Sequence, residues 1–529
     1  MTRTITVEAA KHCLHDGSEL AFLDVRDPVA FGEGHPLFAI PCAYSQLELS
    51  AVALVPRPDC PILLIDGGDG IAERAAQRLA ACGYVDVAMI EGGVPAWSAA
   101  GLGLFAGVNV PSKTLGEMLE HAHHPAMIEA ATLHRWQQEG RRHLFFDARP
   151  PAEYAKMRIE GARCLPNGEL AHRLAAVLQD EETPVVITCA GRTRGIIGAL
   201  GLRALGIQNP VLALENGTQG WALAGFALDR GVAVDAFPEL DPKARALSQA
   251  RARKLAAAGE LSVIGVAEAD TLLRARERTT FLFDLRSASE REARPAPGAV
   301  PALAGQLVQA TDQYVGVRHA QLILMDDTGL RAALAALFLN ALGFETHILA
   351  LDDEPDAPIT AMPASALRVP SLLVAPLDAG EGAALARDGA PILDLRPSQQ
   401  WEAGRLAGAR WATRSTLRHL VPAGTRRVLL QGDAATVAAA ALDLAEAGIA
   451  CHWIAADLDA CAAAGWSVDD ERWPMTRGEA LDRVWFVHDR HDGNAAASRQ
   501  YLAWEMGLID QLDDAERASF GALPQGVFG

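Results

Sequence analysis

The chain of 529 residues is longer than one hydrophobic core can organise, and a prior of roughly 150 residues per domain predicts three or four domains. Half of the residues are hydrophobic and 21% are charged, which excludes a disordered chain. Because 66 acidic residues outnumber 47 basic ones, the net charge of −19 argues against nucleic acid as a bulk partner, since phosphate binding needs a basic surface.

The cysteines and the N-terminal residues bear on the cellular compartment. Eight cysteines over this length do not form the pattern of a disulfide framework, and their spacing suggests no zinc site. The first residues lack the apolar core of a signal peptide, and no apolar run approaches the length of a membrane span. We therefore expect a cytoplasmic protein with no membrane partner and no cofactor.

A repeated pattern organises the chain. A predicted strand that ends in Asp-x-Arg occurs four times, with its aspartate at Asp24, Asp147, Asp284 and Asp394. Each is followed by a second strand and an Ala-rich helix that ends in a glycine, at Gly83, Gly206, Gly343 and Gly448. When these glycines are aligned, the positions opposite Cys189 of the second repeat are Asp66, Asp326 and Gln431. The interval from the aspartate to this position is 42 residues in three repeats and 37 in the fourth, which predicts four copies of one domain.

Each copy alternates strands with helices of about 10 to 15 residues, which is typical of βαβ units in a parallel sheet covered on both faces. We predict an α/β fold of four domains, each a mainly parallel sheet flanked by helices, at 1–107, 125–232, 260–355 and 368–472. A C-terminal extension, 473–529, is predicted to contain a strand and a long amphipathic helix packed on a neighbouring domain. Candidate linkers cover 104–126, 230–262 and 352–371, and the middle one is predicted to include a charged helix.

The stretch 184–206 carries the chemistry. It is predicted to be a buried strand, then a turn from Cys189 to Arg194, then a helix. Such a turn presents backbone N–H groups and the positive end of the helix dipole, which stabilise negative charge. The turn holds one thiol, Cys189, and the guanidinium groups of Arg192 and Arg194. It is therefore predicted to bind an anion and to lower the Cys189 pKa, which would raise the thiolate fraction.

Three motifs of the second copy resemble the signatures of rhodanese domains. The strand with Asp147-x-Arg149 is followed by Glu-Tyr at 153–154 and by RIEGA at 158–162, where the family has Gly-His-Ile-x-Gly-Ala; Met157 and Arg158 replace the Gly-His pair. The segment ENGTQGW, 215–221, is similar to the closing Gly-Gly…Trp…Gly signature. CAGRTRG, 189–195, lies where the family has its catalytic cysteine loop. Nearly the whole chain resembles four tandem rhodanese domains, of which only the second has an intact loop.

The resemblance implies a thiosulfate sulfurtransferase with Cys189 as the nucleophile. Its thiolate would attack the outer sulfur of thiosulfate or a similar anionic donor, release sulfite, and carry a persulfide to a thiol or cyanide, or to a partner protein. The loop residues that would bind the substrate are Ala190, Gly191, Arg192, Thr193, Arg194 and Gly195. Asp147 and Arg149 are interpreted as a supporting, structural ion pair, and no metal is expected at the site.

The length of the loop bears on two other enzyme classes. Cysteine-dependent phosphatases of similar fold place five residues between cysteine and arginine, which forms a wider cradle for phosphate, whereas four residues separate Cys189 from Arg194. Phosphatase activity is therefore a remote alternative. The related mercaptopyruvate transferases have a loop without arginine, so that Arg192 and Arg194 favour a thiosulfate-like donor.

The other three copies are predicted to be inactive. Asp66 and Asp326 would repel an anionic donor, and Gln431 cannot form a persulfide, so these copies are interpreted as structural rather than as sites for a regulatory ligand or an acceptor protein. A scaffold or sulfur-relay binding protein built of rhodanese-like modules remains an alternative to the enzyme, although a pure scaffold has no need of two arginines beside a thiol. The tail motif HDRHD, with His488, Asp489, His491 and Asp492, imitates a metal site but lacks further ligands at a defined spacing.

Overall fold

The structure is a computed structural model that describes residues 3–354, 365–486, 490 and 493–528. These residues contain four five-stranded sheets and group into two compact units. One unit holds the first and fourth sheets, and the other holds the second and third sheets together with the C-terminal residues. The histidines and aspartates of the HDRHD motif, at 488, 489, 491 and 492, lie outside the described residues.

The first sheet has parallel strands in the order β1-β5-β4-β2-β3. Its strands are β1 (Arg3–Ile5), β2 (Ala21–Asp24), β3 (Ile40–Pro41), β4 (Ile62–Ile65) and β5 (Val87–Ile90). Its helices are α1 (Val7–His15), α2 (Pro28–Glu33), α3 (Leu47–Leu54), α4 (Ile71–Cys82) and α5 (Gly93–Ala99). The central strands β2 and β4 are buried along their whole length and, apart from Asp24 at the end of β2, are apolar, as a parallel sheet with helices on both faces requires.

The second sheet repeats this order as β6-β11-β10-β7-β9, again parallel throughout. The helix before it is α6 (Val110–His123). The strands are β6 (Met127–Ile128), β7 (Leu144–Asp147), β8 (Met157–Arg158), β9 (Arg163–Cys164), β10 (Val185–Thr188), β11 (Val211–Leu214) and β12 (Asp229–Arg230). The helices are α7 (Ala130–Gln138), α8 (Pro151–Lys156), α9 (Glu169–Val177), α10 (Thr193–Ala204) and α11 (Gly217–Leu223). Strands β8 and β12 form a separate antiparallel pair.

The third sheet follows the helix α12 (Pro242–Ala258), which confirms the charged helix predicted in the middle linker. Asp241 caps this helix by accepting the N–H of Ala244 at 2.7 Å. The strand order is β13-β17-β16-β14-β15. The strands are β13 (Ser262–Val263), β14 (Thr280–Asp284), β15 (Val300–Pro301), β16 (Gln321–Asp326) and β17 (Glu345–Ala350). The helices are α13 (Val266–Arg274), α14 (Ala288–Ala293), α15 (Ala304–Gln309) and α16 (Leu330–Ala341).

The fourth sheet has the order β18-β23-β22-β19-β21, with β20 and β24 as a further antiparallel pair. The strands are β18 (Pro376–Leu377), β19 (Ile392–Asp394), β20 (Arg405–Leu406), β21 (Arg410–Trp411), β22 (Arg427–Gln431), β23 (Ala450–Ile454) and β24 (Val468–Asp469). The helices are α17 (Ala379–Arg387), α18 (Ser398–Ala403), α19 (Leu417–Leu420), α20 (Ala434–Glu446) and α21 (Leu458–Ala463). The same order in four sheets confirms the predicted α/β fold and its repetition.

Two segments differ from the sequence-based expectation. The candidate linker 104–126 contains the 14-residue helix α6. This helix packs against α10, and its apolar residues Leu115 and Leu119 are buried. The C-terminal residues form α22 (Ala495–Met506) and α23 (Asp514–Ala518), which confirms the predicted helix, but no strand occurs among the described residues of 473–529. Helix α22 packs on α6 and α11, so that the tail contributes to the second sheet's surroundings.

The four sheets lie one in each of the predicted ranges 1–107, 125–232, 260–355 and 368–472, although the domain boundaries themselves stay a prediction. The linker 352–371 includes residues 355–364, which are not among the described ones. No helix within the described part of the chain is both long enough and apolar enough to span a membrane.

Candidate active site

Cys189 follows β10 directly and therefore lies at the carboxyl ends of the parallel strands. Strand β10 forms because Val185, Val186 and Ile187 are β-branched and are fully buried between β7 and β11. The register pairs Thr188 with Asp147, the last residue of β7. The thiol and the Asp-x-Arg motif therefore meet at one end of the sheet, where open α/β sheets bind their ligands.

Asp147 and Arg149 form a fully buried ion pair, with Nη2 of Arg149 at 2.7 Å from Oδ2 of Asp147. The same nitrogen donates to the carbonyl of Met157 at 2.6 Å, which ties the end of β7 to β8. Each of the other three copies has the equivalent aspartate–arginine pair. Because copies without a cysteine at the position of Cys189 have the pair too, its geometry supports the structural interpretation of Asp147 and Arg149.

The loop backbone is held from one side by the start of α11. The N–H of Thr218 donates to the Cys189 carbonyl at 2.8 Å, and Nε2 of Gln219 donates to the Ala190 carbonyl at 3.1 Å. This approach is close enough to require glycine at 217, where φ is +54° and a Cβ would lie 2.3 Å from the Cys189 oxygen. The closing motif therefore positions the cysteine loop through its backbone.

The Cys189 side chain is sealed, with 2% of the residue exposed. Burial raises the pKa of its thiol and Glu505 adds to this, while Arg194 and the N–H groups of Gly195 and Gly191 act in the opposite direction. The expected lowering of the Cys189 pKa is therefore wrong for this conformation. The predicted amides do face the thiol, but the free energy lost by removing it from water outweighs their effect.

Arg192 points away from solvent towards α6. Its Nε donates to Oε1 of Glu117 at 2.8 Å and its Nη2 donates to Oε2 at 3.0 Å, and Nη2 also pairs with Glu120. Burial raises the pKa of Glu117 to about 7, although the hydrogen bonds from Arg192 act against this. The first of the two predicted donor-binding arginines is thus engaged by two carboxylates.

Helix α22 of the C-terminal tail covers the loop. The hydroxyl of Thr193 donates to Oε1 of Glu505 at 2.6 Å, and Glu505 is 1% exposed. A Cβ on Gly191 would lie 3.1 Å from Oε2 of Glu505 and 3.2 Å from the ring of Tyr501, so both side chains lie directly on the loop. Lys113 of α6 is buried beside them, and burial lowers its pKa to about 7 although the Glu505 charge raises it. A buried carboxylate is therefore part of the site.

The comparisons with known proteins identify the family of the chain. The model of the rhodanese-like domain matches residues 6–100 and 129–224. The crystal structure of a thiosulfate sulfurtransferase from Pseudomonas aeruginosa is 34% identical, covers 98% of this chain and 100% of its own, and superimposes with a TM-score of 0.88. The chain belongs to the rhodanese family.

A second solved structure, the Alr3790 protein from Anabaena sp., is 25% identical over 20% of this chain and 93% of its own, with a TM-score of 0.19. A search of curated proteins found no match. The family model covers only the first two copies, although all four sheets of this rhodanese share one strand order.

In the first copy of this rhodanese, the carboxylate of Asp66 occupies the place of the thiol. Its two oxygens accept the N–H groups of Gly68 and Ala72, each at 2.9 Å. These donors are two and six residues after Asp66, the same offsets as Gly191 and Gly195 from Cys189. An internal carboxylate therefore takes the hydrogen bonds that a thiolate would take in the second copy.

The third and fourth copies differ from the first. Asp326 accepts N–H groups from Asp327 at 2.8 Å and Arg331 at 2.9 Å, and its Oδ1 accepts from Nε of Arg331 at 2.6 Å. Gln431 is buried, and its side-chain amide finds no hydrogen-bond partner among the described residues. The chemistry of these residues excludes persulfide formation at all three positions.

Sequence analysis missed four charged residues at the site, namely Lys113, Glu117, Glu120 and Glu505. The first three lie on α6, in a segment interpreted as a linker, and the last lies on α22, more than three hundred positions along the chain from the loop. The apolar spacing of α6 was the available signal, whereas nothing near Glu505 resembles a motif of the family. Across the described ranges, no group of three or more His, Cys, Asp or Glu side chains is arranged to hold a metal ion.

Proposed function

We propose that this rhodanese is a thiosulfate sulfurtransferase in which Cys189 carries the transferred sulfur as a persulfide. The observation that carries the proposal is the turn after β10, where the N–H groups of Gly191 and Gly195 and the charge of Arg194 all favour the anionic form of Cys189. The extent of the similarity to the Pseudomonas thiosulfate sulfurtransferase, 98% of this chain, supports the same reaction.

In the first step the Cys189 thiolate attacks the outer sulfur of thiosulfate. A new S–S bond forms, the original S–S bond breaks, and its electron pair leaves with sulfite. In the second step an acceptor thiolate or cyanide attacks the outer sulfur of the persulfide, and the electron pair of that bond returns to Cys189. The protein needs no redox partner, because in each step the nucleophile supplies the electron pair of the new bond and the leaving group takes the electron pair of the broken one.

The loop residues have separate roles in this scheme. The amides from Ala190 to Gly195 hold the anionic persulfide, as the turn before a helix does for other anions. Arg194 binds the sulfonate end of the donor, and Arg192, which is paired with Glu117, orients the loop on α6. Asp147 and Arg149 support the strand ends.

A cavity next to the loop supports a route for the acceptor. It has a volume of about 240 Å³ and is bordered by Met157, Thr218, Gln219, Phe226, Arg230 and Ser498. Thr218 and Gln219 also bond the backbone of Cys189 and Ala190, so that the cavity lies directly behind the loop. The acceptors that we propose for this cavity are a small thiol, cyanide or a thiol of a partner protein. Nucleic acid is not among the proposed partners.

Replacing Cys189 tests the proposal. Cys189→Ser should abolish thiocyanate formation from thiosulfate and cyanide, while Cys451→Ser, which removes a thiol of the fourth sheet, should leave it unchanged. Mass spectrometry of the thiosulfate-treated protein should show an added mass of about 32 Da, one sulfur atom, on Cys189. Activity retained in Cys189→Ser would assign the chemistry to another residue, and a chain with neither activity nor adduct would be a scaffold.

A further inference from the structure

Glu505 is a buried carboxylate that lies directly against the cysteine loop. Its Oε1 accepts the Thr193 hydroxyl at 2.6 Å, at the first residue of α10. Its Oε2 is buried, accepts no hydrogen bond from the described residues, and faces the backbone of Gly191. A buried carboxyl oxygen without a hydrogen-bond donor is costly, so its position over the cysteine loop requires an explanation.

The first copy shows what this loop does with a carboxylate. There Asp66 lies on the amides two and six residues further on, with both distances at 2.9 Å. In the second copy the residue at that position is Cys189, the amides of Gly191 and Gly195 face its thiol, and the carboxylate of Glu505 from α22 lies against Gly191 and Thr193. The loop of this fold therefore accommodates a carboxylate in at least one copy, and Glu505 brings one to the copy that has the thiol.

The two arginines of the loop are paired with carboxylates other than Glu505. Arg192 is bound to Glu117 and Glu120, and Arg194 is bound to Glu153. Two further cations lie near Glu505. Nζ of Lys113 lies 4.8 Å from the centre of the Trp504 ring, and the guanidinium of Arg490 lies 3.8 Å from the centre of the Tyr501 ring. With carboxylates on both arginines, the approach of a dianion to the loop is opposed by the charge of Glu505.

We propose that Glu505 is a specificity-determining residue for the sulfur donor, because its buried carboxylate lies against Gly191 and Thr193 of the Cys189 loop and its charge opposes the approach of an anionic donor. This inference rests on the proposed function. It adds that a residue of the C-terminal tail, Glu505, lowers the affinity of the cysteine loop for donors of higher negative charge. The effect acts on donor binding, since Glu505 does not take part in breaking or forming the S–S bonds.

Glu505→Gln keeps the hydrogen bond to Thr193 and removes the charge. We expect the KM for thiosulfate to fall by about fivefold or more, with kcat changed by less than about twofold, because a like charge near the loop is removed. The KM for a monoanionic alkyl thiosulfonate should fall by a smaller factor. Asp510→Asn, which removes an exposed carboxylate from the same tail, should leave both KM values unchanged.

Two further variants separate charge from packing. Glu505→Asp keeps the charge. Its KM for thiosulfate should therefore differ less from the wild-type value than the KM of Glu505→Gln does. Glu505→Met removes the charge with a side chain of similar length, and it tests the inference if Glu505→Gln does not fold, with a lower KM again expected. An unchanged or higher KM in a folded variant overturns the inference while wild-type activity stands, whereas a wild type without Cys189-dependent activity refutes the proposed function itself.

Discussion

Arg194 makes a two-point ion pair with Glu153, in which Nη1 lies 2.8 Å from Oε1 and Nη2 lies 2.7 Å from Oε2. Arg194 is largely buried, whereas the Glu153 side chain is 42% exposed. Arg194, the cation that most favours the Cys189 thiolate, is therefore separated from solvent by the carboxylate of Glu153. A donor anion that binds Arg194 must share or replace this ion pair.

Removing this guanidinium should weaken donor binding. In Arg194→Ala we expect the KM for thiosulfate to rise by about tenfold or more, because charge-assisted hydrogen bonds contribute about 1.5–3 kcal/mol each. The Cys189 pKa should also rise further, since Arg194 is the largest influence that lowers it. Arg142→Ala, which removes an exposed arginine of the same copy, is the matched control. Steady-state kinetics measure the KM of both variants, and an unchanged KM in Arg194→Ala would contradict a role of Arg194 in donor binding.

Burial of the thiol predicts the pH dependence of persulfide formation. Thiolate is the reactive form, and burial raises the pKa of Cys189 above its usual value. The single-turnover rate with thiosulfate should therefore increase with pH through the neutral range and beyond about pH 8.5, the ordinary pKa of a cysteine. Rapid mixing at a series of pH values measures this. A rate that reaches its plateau near pH 6 would mean that the reacting conformation has a lowered pKa.

Two glycines of the closing motif should respond differently to the same substitution. Gly217→Ala places a Cβ 2.3 Å from the Cys189 carbonyl, so the loop must move and we expect activity to fall by about a hundredfold through misplacement of the thiol. Gly225→Ala also adds a Cβ at positive φ, +87°, but no atom lies within 4 Å of it. This control should lose about 1 kcal/mol of stability and keep its activity. Equal activity in the two variants would show that the close approach is unimportant.

The carboxylate of Asp66 should matter for stability and not for activity. Asp66→Ala leaves the N–H groups of Gly68 and Ala72 without their acceptor, so we expect the first copy to lose about 1–3 kcal/mol. Calorimetry measures the change in Tm, and the exposed Asp59→Ala, in the same copy, is expected to shift it little. A loss of sulfurtransferase activity in a folded Asp66→Ala protein would contradict this prediction and would mean that the first copy contributes to catalysis.

The sequence was informative wherever the pattern is local or repeated. The Asp-x-Arg strands, the glycine-ended helices and the constant interval predicted four parallel sheets, because strand and helix periodicity and helix termini depend on neighbouring residues. The loop amides near Cys189 followed from the same local pattern of strand, turn and helix. The segment 104–126 was misread because its Pro and His residues are also typical of linkers, whereas α6 is stabilised by packing its apolar face on α10.

By itself the sequence determined the repeated α/β fold, the single thiol at the Cys189 position, and the loop that presents amides to it. Only the tertiary structure decided that this thiol is buried with a raised pKa, that both loop arginines are paired with carboxylates, and that Glu505 lies over the loop. The reason is physical: burial and electrostatic partners depend on side chains brought together from distant parts of the chain, and no local pattern records which carboxylate will pack against which turn.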